Sequence, residues 1–388
     1  MWACPAHDGK MHRLARIITV LGTMGFLVSC AGAVQGPTSS GTSGSVAVSS
    51  PTTGPSATTA PTMATSPAPA GAIPSTTLPE ATARSATPTV GRDAWVAVSV
   101  ATLWRSPSSP RAVDQPALTN PSSIRTWLSR LTVSDRRGLN GRADTQVLLG
   151  DRVIVTALNG SWAKVVVPSQ PTPLESRGYP GWVPLVQLTA TSPATSSLQA
   201  TVVSTTAWLR DDDASAAAVT EVSFGTRLPQ LGVSGGWVRV GVTPDRVLRV
   251  AAKDVSVTPS DASALPADGS ELVRSATMFT GLPYLWAGTS GFGFDCSGLT
   301  SLLYRVHGIT IPRDADAQAA SGRPVAASAL QPGDLLFYAT NGFVHHVSMY
   351  AGSGRMVQSP KTGSSVETIA VSTSAYAVEF SGARRYLG

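Results

Sequence analysis

The stretch Gly293-Phe294-Asp295-Cys296-Ser297-Gly298-Leu299 begins an amphipathic segment, because apolar residues recur after it at helical spacing: Leu299, Leu302, Leu303 and Val306. Positions i, i+3, i+4 and i+7 share one face of a helix, so the sequence predicts a helix over 296–307 that ends at Gly308. Asp295 is its predicted N-cap. A thiol in the first turn faces unpaired backbone N–H groups and the positive end of the helix dipole, which favours the thiolate of Cys296.

A cysteine nucleophile needs a base, and the chain offers few histidines. Two of the five lie before residue 13, and the others are His307, His345 and His346. His307 is at the far end of the predicted helix, about 16 Å from Cys296 at 1.5 Å per residue. His345 and His346 are adjacent on a predicted strand, 343–350, so they point to opposite faces and only one of them can meet the helix. Periodicity alone does not choose between them.

A third polar residue follows from the predicted hairpin. If Gly352-Ser353-Gly354 is the turn, centred on Ser353, then Gln358 lies opposite Ser348, diagonal to His346 and on the same face. The amide oxygen of Gln358 can then accept the imidazole N–H and orient the ring. Nucleophile, base and orienting group would occupy a helix start and two neighbouring strands.

An internal repeat precedes this region. Residues 147–165 recur 75 positions later as 222–240, and in each copy a glycine precedes a tryptophan by 12 residues. Both copies alternate apolar and polar residues around a glycine-containing turn, which is typical of half-buried antiparallel strands. The repeat predicts two small all-β barrels, the first enlarged by insertions near 106–140 and 168–178.

The amino terminus indicates export. Basic residues precede an apolar run, 17–28, that is shorter than a bilayer-spanning helix and typical of a signal peptide. The run ends in Leu27-Val28-Ser29-Cys30, which resembles the lipobox of bacterial lipoproteins, whose cysteine is acylated. An uncleaved amphiphilic anchor is the alternative, and both place the remainder outside the cytoplasmic membrane. Residues 31–79 carry no charge and are mostly Ser, Thr, Pro, Ala and Gly, which predicts a disordered tether.

Composition and motifs argue against several other classes of protein. A net charge of +6 over 388 residues, without a basic run, gives no indication of nucleic-acid binding. The sequence has no His-Glu-x-x-His motif and no phosphate-binding glycine loop, so we predict neither a metal site nor a cofactor.

Together, Asp295-Cys296-Ser297-Gly298-Leu299 and His346-Val347-Ser348-Met349-Tyr350 resemble the NlpC-type, papain-like cysteine peptidases of bacterial cell walls. The resemblance covers about 270–388 and extends to Tyr284, Trp286, Ile311-Pro312-Arg313-Asp314, Gln318 and the turn Pro332-Gly333-Asp334. The family pattern selects His346 as the base. The chain departs from it at Gln358, where the family most often has histidine, although a neutral amide can still hold the tautomer of a catalytic histidine. A second departure is Ser348 in place of the usual glycine.

This resemblance implies an α+β protein in which two SH3-like barrels precede a papain-like NlpC-type domain. It also implies a substrate, the γ-D-glutamyl-diamino acid bond of peptidoglycan stem peptides, which Cys296 would attack to form an acyl-enzyme while His346 protonates the leaving amine. Tyr284 and Trp286 would bind the oxyanion or the substrate. Asp295 and Ser297 would help to hold a free substrate amino terminus, with an acidic residue supplied by the first barrel, for which Asp151 is a candidate.

The predicted organisation has five segments: a lipoprotein signal peptide at 1–29, a tether at 30–92 with a lipid on Cys30, barrels at 93–192 and 198–258, and a peptidase domain at 264–388. We therefore expect an enzyme anchored to the outer face of the cytoplasmic membrane that acts on murein. Two alternatives stay open: a wall-binding scaffold with an inactive peptidase domain, motivated by Gln358, and a related thiol amidase.

Overall fold

The computed structural model describes residues 87–388. The predicted signal peptide, Cys30 and the predicted tether as far as residue 86 lie outside these residues. Gly91 and Arg92, the last two residues of the predicted tether, already form backbone hydrogen bonds with Val155 in the first barrel. Across 87–388, no helix combines the length and the apolar character needed to cross a membrane.

The first barrel is a seven-stranded antiparallel sheet with strand order β3-β2-β6-β5-β4-β1-β7. Its strands are β1 (Asp93–Val96), β2 (Val100–Trp104), β3 (Ala143–Leu148), β4 (Arg152–Asn159), β5 (Trp162–Val167), β6 (Tyr179–Pro184) and β7 (Leu188–Thr189). Alternate residues of β4 and β5, such as Val153, Val155, Ala163 and Val165, fill the interior. This is the period of two that the sequence shows.

The second barrel repeats the first, with order β10-β9-β13-β12-β11-β8-β14. Its strands are β8 (Leu198–Val202), β9 (Thr206–Asp211), β10 (Ala218–Ser223), β11 (Arg227–Ser234), β12 (Trp237–Thr243), β13 (Arg246–Ala251) and β14 (Val255–Pro259). Each strand therefore has a counterpart seven strands earlier in the same sheet position. The sequence repeat is a structural repeat.

The insertion between β2 and β3 packs against the carboxy-terminal domain. It holds a short 3-10 helix, Ala112–Ala117, followed by α1 (Ile124–Arg130) and α2 (Val133–Arg137). Its buried apolar side chains share one core with residues near the cysteine motif; this core includes Ile124, Trp127, Leu131, Leu139, Leu285, Ala287, Phe292 and Phe294. The insertion thus joins the first barrel to the region that carries Cys296.

The carboxy-terminal domain has a six-stranded antiparallel sheet in the order β17-β22-β18-β19-β20-β21, flanked by helices. Its elements are α3 (Gly269–Thr277), β15 (Thr289–Ser290), β16 (Gly293–Phe294), α4 (Cys296–Val306), α5 (Ala315–Ala320), β17 (Arg323–Val325), β18 (Leu335–Thr340), β19 (Phe343–Gly352), β20 (Arg355–Gln358), β21 (Glu367–Ala370), α6 (Ser374–Ala377) and β22 (Phe380–Arg385). Helices α3, α4 and α5 all contact β19. The apolar face of α4 packs on β19 because Leu299 and Leu303 share a core with Val347.

Candidate active site

Cys296 is the first residue of α4, where the chain turns from β16 into the helix. The Asp295 side chain accepts a hydrogen bond from the Gly298 backbone N–H at 2.7 Å, which confirms Asp295 as the N-cap. The Cys296 thiol accepts a hydrogen bond from the backbone N–H of Val347 on β19. The start of α4 therefore meets β19 at the peptide that follows His346.

The hairpin of β19 and β20 brings His346 and Gln358 together. Met349 pairs with Val357 and Tyr350 with Met356, a register that sets Gln358 opposite Ser348 as the sequence predicts. His346 Nε2 lies 2.7 Å from Gln358 Oε1. Both side chains are buried, with exposed fractions of 4% and 1%.

The other two histidines have other partners. His345 Nε2 lies 3.2 Å from Thr340 Oγ1 and 3.5 Å from Glu379 Oε2, on the face of the strand opposite to Gln358. His307 Nε2 lies 3.1 Å from Ser275 Oγ, so this ring links α4 to α3. His346 is the histidine that contacts Gln358, and the backbone N–H that follows it meets the Cys296 thiol.

Burial sets the protonation states of Cys296 and His346. Burial raises the pKa of the Cys296 thiol to about 12, and the Asp295 carboxylate adds to the rise, while the Val347 N–H, Arg313 and the Ser297 N–H oppose it. Desolvation therefore opposes the thiolate that the helix start favours. Burial also lowers the pKa of His346 to about 4, although the hydrogen bond to Gln358 acts to raise it. At pH 7 the imidazole is neutral and can accept a proton.

Asp295 and Ser297, the two predicted substrate ligands, flank Cys296 but are held by Arg313. The guanidinium is 1% exposed and contacts Asp295 through two hydrogen bonds, 2.7 Å at Oδ2 and 3.0 Å at Oδ1. It also donates to Ser297 Oγ at 2.9 Å. The sequence motif contained Arg313 but did not indicate this role, since Arg313 and Asp295 are 18 positions apart and no local pattern connects them.

The first barrel reaches this cluster directly. Arg313 Nε donates to Thr145 Oγ1 of β3 at 2.8 Å. The Tyr179 hydroxyl of β6 donates to Asp314 Oδ2 at 3.0 Å, and burial raises the pKa of Asp314 to about 6. Barrel 1 therefore forms one wall beside the residues that precede and follow Cys296.

Trp286 and Tyr284 also lie where the carboxy-terminal domain meets barrel 1 and its insertion. The indole N–H of Trp286 donates to the Ala143 carbonyl at 2.9 Å, so this donor already has a partner in barrel 1. Tyr284 is buried, and its carbonyl accepts a hydrogen bond from Arg136 of the insertion at 3.3 Å. The oxyanion and substrate roles of the two side chains stay predictions.

Asp151 is the wrong choice for the acidic residue of barrel 1. Its carboxylate oxygens lie 3.2 Å from Arg305 Nη1, in the last turn of α4. Arg305 lies nine positions after Cys296 in α4, which corresponds to about 14 Å along the helix. The mismatch arises because a sequence repeat locates strands but does not show which strand end faces the neighbouring domain.

Two residues near the pair were not identified from the sequence. Glu367 on β21 accepts a hydrogen bond from Gln358 Nε2 at 2.9 Å. The Tyr376 ring lies 5.6 Å from the His346 ring, centroid to centroid, and its hydroxyl interacts with the Gln358 amide. Both come from segments beyond the quoted motifs, and only the pairing of β21 with β20 could have indicated Glu367.

Comparison with known proteins agrees with this architecture. Residues 281–385 match the NlpC/P60 family, and residues 202–257 match the YKFC SH3b2 domain. A gamma-D-glutamyl-L-lysine dipeptidyl-peptidase of Bacillus cereus is 41% identical over 302 residues, which cover 76% of this chain and 91% of that protein. A protein of the same description from Bacillus subtilis is 39% identical over 294 residues, 74% of this chain and 96% of that protein.

A solved structure is similar to this chain over most of its length. The crystal structure of an NlpC/P60 family protein from Bacillus cereus superposes with a TM-score of 0.72 at 40% identity, covering 76% of this chain and all of that one. The predicted α+β fold, with SH3-like modules ahead of an NlpC-type domain, is confirmed. On the strength of 41% identity across nine-tenths of a relative, the chain belongs to the NlpC/P60 family.

Proposed function

We propose that the protein is a cysteine peptidase that cleaves the bond between γ-D-glutamate and the diamino acid in peptidoglycan stem peptides. The observation that carries the proposal is that the Cys296 thiol, at the start of α4, contacts the Val347 N–H, the backbone group that follows His346, while the His346 ring is paired with Gln358. The names of the two Bacillus relatives support the bond and the release of an amino-terminal dipeptide.

The chemistry follows from the protonation states. His346 accepts the thiol proton as Cys296 Sγ attacks the γ-carbonyl carbon, so thiolate and imidazolium form together and stabilise each other in a poorly hydrated site. His346 then gives the proton to the departing amine, and the C–N bond breaks to leave a thioester. Water, deprotonated by His346, hydrolyses the thioester and regenerates the thiol. Tyr284 and the Cys296 backbone N–H are the proposed donors to the oxyanion.

The charges beside barrel 1 suit a substrate with a free amino terminus. Asp295 and Asp314 lie beside the single guanidinium of Arg313, so the cluster carries one more negative than positive group when both carboxyls are ionised. Such an excess favours an ammonium group over an acylated amine. We propose that these carboxylates, together with Tyr179 of barrel 1, bind the substrate amine in place of the predicted Asp151.

The substrate test compares free and blocked peptides with the full-length protein. We expect cleavage of L-Ala-γ-D-Glu-L-Lys and its diaminopimelate counterpart, with N-acetylation lowering kcat/KM about 100-fold because a charged contact is lost. Mass spectrometry of the products identifies the bond, and Cys296→Ala is the control. Equal cleavage of free and acetylated peptides would exclude the amine site, and absence of any cysteine-dependent cleavage would exclude the peptidase.

We also propose that a lipid on Cys30 anchors the protein to the outer face of the cytoplasmic membrane. The support is the sequence alone: a short apolar run followed by Leu27-Val28-Ser29-Cys30. Acyl chains bind bilayers through hydrocarbon burial, so removing them should release the protein. After expression in a bacterial host, we expect the wild type and Cys4→Ala in the membrane fraction and Cys30→Ala in the soluble fraction. A membrane-bound Cys30→Ala protein without lipid would favour the uncleaved anchor instead.

A further inference from the structure

The side-chain amide of Gln358 is held between two partners. On one side, Oε1 lies 2.7 Å from His346 Nε2, and on the other, Nε2 lies 2.9 Å from Glu367 Oε1. Gln358 and Glu367 are directly opposed in the register of β20 and β21, so this contact is a cross-strand pair. The amide is 1% exposed, which leaves water little opportunity to replace either partner.

The two ends of an amide have the same shape but opposite hydrogen-bonding character, so a buried glutamine needs a partner that determines its direction. An ionised carboxylate can only accept hydrogen bonds. Glu367 therefore requires the NH2 end of Gln358 on its side and directs the oxygen towards His346. Tyr376, the other neighbour of this amide, carries a hydroxyl that can donate or accept, so it imposes no direction.

The direction of the amide determines the tautomer of His346. With the Gln358 oxygen facing Nε2, that nitrogen must carry the proton, and the lone pair is on Nδ1, the nitrogen left to receive the proton of Cys296. If the amide were reversed, its NH2 group would face Nε2, the ring proton would move to Nδ1, and no lone pair would be available for the thiol. Two amide orientations thus correspond to an active and an inactive base.

We propose that Glu367 is a positioning residue that keeps His346 in the active tautomer by fixing the orientation of the Gln358 amide. The inference rests on the proposed peptidase chemistry, in which His346 is the base. It also gives a physical reason why glutamine can serve at this position, since the carboxylate opposite supplies the direction that the amide lacks.

The first measurement needs no substrate. In ¹⁵N-histidine-labelled full-length protein, the His346 nitrogen shifts, assigned by their loss in His346→Ala, should report Nε2–H in the wild type. In Glu367→Ala we expect a substantial Nδ1–H population, and the isosteric Glu367→Gln should shift in the same direction. Glu379→Gln, which removes a carboxylate that pairs with His345 instead, should leave the tautomer unchanged.

The second measurement is kinetic. Glu367→Ala should lower kcat about 10- to 100-fold, the weight of one hydrogen bond to a charged group, with KM within about twofold. Adding Gln358→Glu to Glu367→Ala should restore much of kcat and the Nε2–H signal, because a carboxylate at 358 accepts from His346 in either orientation. A merely structural role for Glu367 would not be rescued in this way.

The outcomes separate the two proposals. If the wild type cleaves peptides but Glu367→Ala keeps the Nε2–H tautomer and its kcat, the role of Glu367 is refuted and the peptidase stands. If the wild type cleaves nothing yet the tautomer responds to Glu367, the proposed function fails while the positioning contact is supported. A fall in kcat without a tautomer change or a rescue would also overturn the inference.

Discussion

Replacing Cys296 by alanine should abolish peptide hydrolysis, and replacing His346 by alanine should lower kcat about 1,000-fold or more, whereas His345→Ala should retain kcat within about threefold. The physical reason is geometric. His346 lies on the strand face of Gln358, and the peptide that follows it contacts the thiol, while His345 lies on the opposite face beside Thr340 and Glu379. Removing His346 leaves the thiol without an acceptor for its proton, which burial makes difficult to release.

The adjacent histidines form a matched pair for this test, because the two variants remove the same side chain from the same strand. Initial rates with L-Ala-γ-D-Glu-L-Lys measure kcat, and a circular dichroism melt of each variant controls for folding. Equal losses at both histidines would contradict the assignment of His346 as the base, and a larger loss at His345 would reverse it.

Replacing Arg313 by methionine should lower the free energy of unfolding by about 3–5 kcal/mol and strongly reduce kcat. The methionine fills the space but leaves the carboxylate of Asp295, and the hydroxyls of Ser297 and Thr145, without a cationic donor in a buried site. Asp295 also caps α4, so its displacement would move Cys296 relative to His346. The effect on activity and the effect on stability share this cause.

Denaturant or thermal unfolding measures the loss, with Arg274→Met as the control. Arg274 forms an exposed ion pair with Glu271 within α3, and such pairs contribute at most about 1 kcal/mol. In the double variant Asp295→Asn/Arg313→Met both charges are gone while asparagine can still cap the helix, so part of the stability should return. If Arg313→Met lowers the free energy of unfolding no more than Arg274→Met does, the buried contacts contribute little.

Much of the local structure was predictable from the sequence. The spacing of Leu299 to Val306 predicts a helix over 296–307, and α4 runs from Cys296 to Val306 with His307 as its C-cap and Gly308 at a φ of +83°. The turn predicted at Ser353 leads to the right partner for Ser348, although the hairpin closes at Gly352 opposite Arg355 and a register shift between Tyr350 and Gly352 compensates. These features depend on residues close together in the chain, whose periodicity and turn chemistry act before any tertiary contact.

The electrostatic environment of the site was not predictable in this way. The helix start argues for a lowered thiol pKa, but desolvation by the residues packed around Cys296 raises that pKa. Asp295 meets Arg313, and Asp151 meets Arg305, across sequence separations of 18 and 154 residues. Desolvation and long-range ion pairs depend on which surfaces meet, and no local pattern records that.

The sequence by itself therefore determined the repeated all-β units, the helix that presents Cys296 and the hairpin that pairs His346 with Gln358. The tertiary structure alone decided where the Cys296 thiol meets β19, how the insertion of the first barrel packs beside the cysteine, and which charges neutralise one another. The division has one physical reason: secondary structure follows from periodicities of two and 3.6 residues, whereas a site is assembled from side chains that only folding brings together.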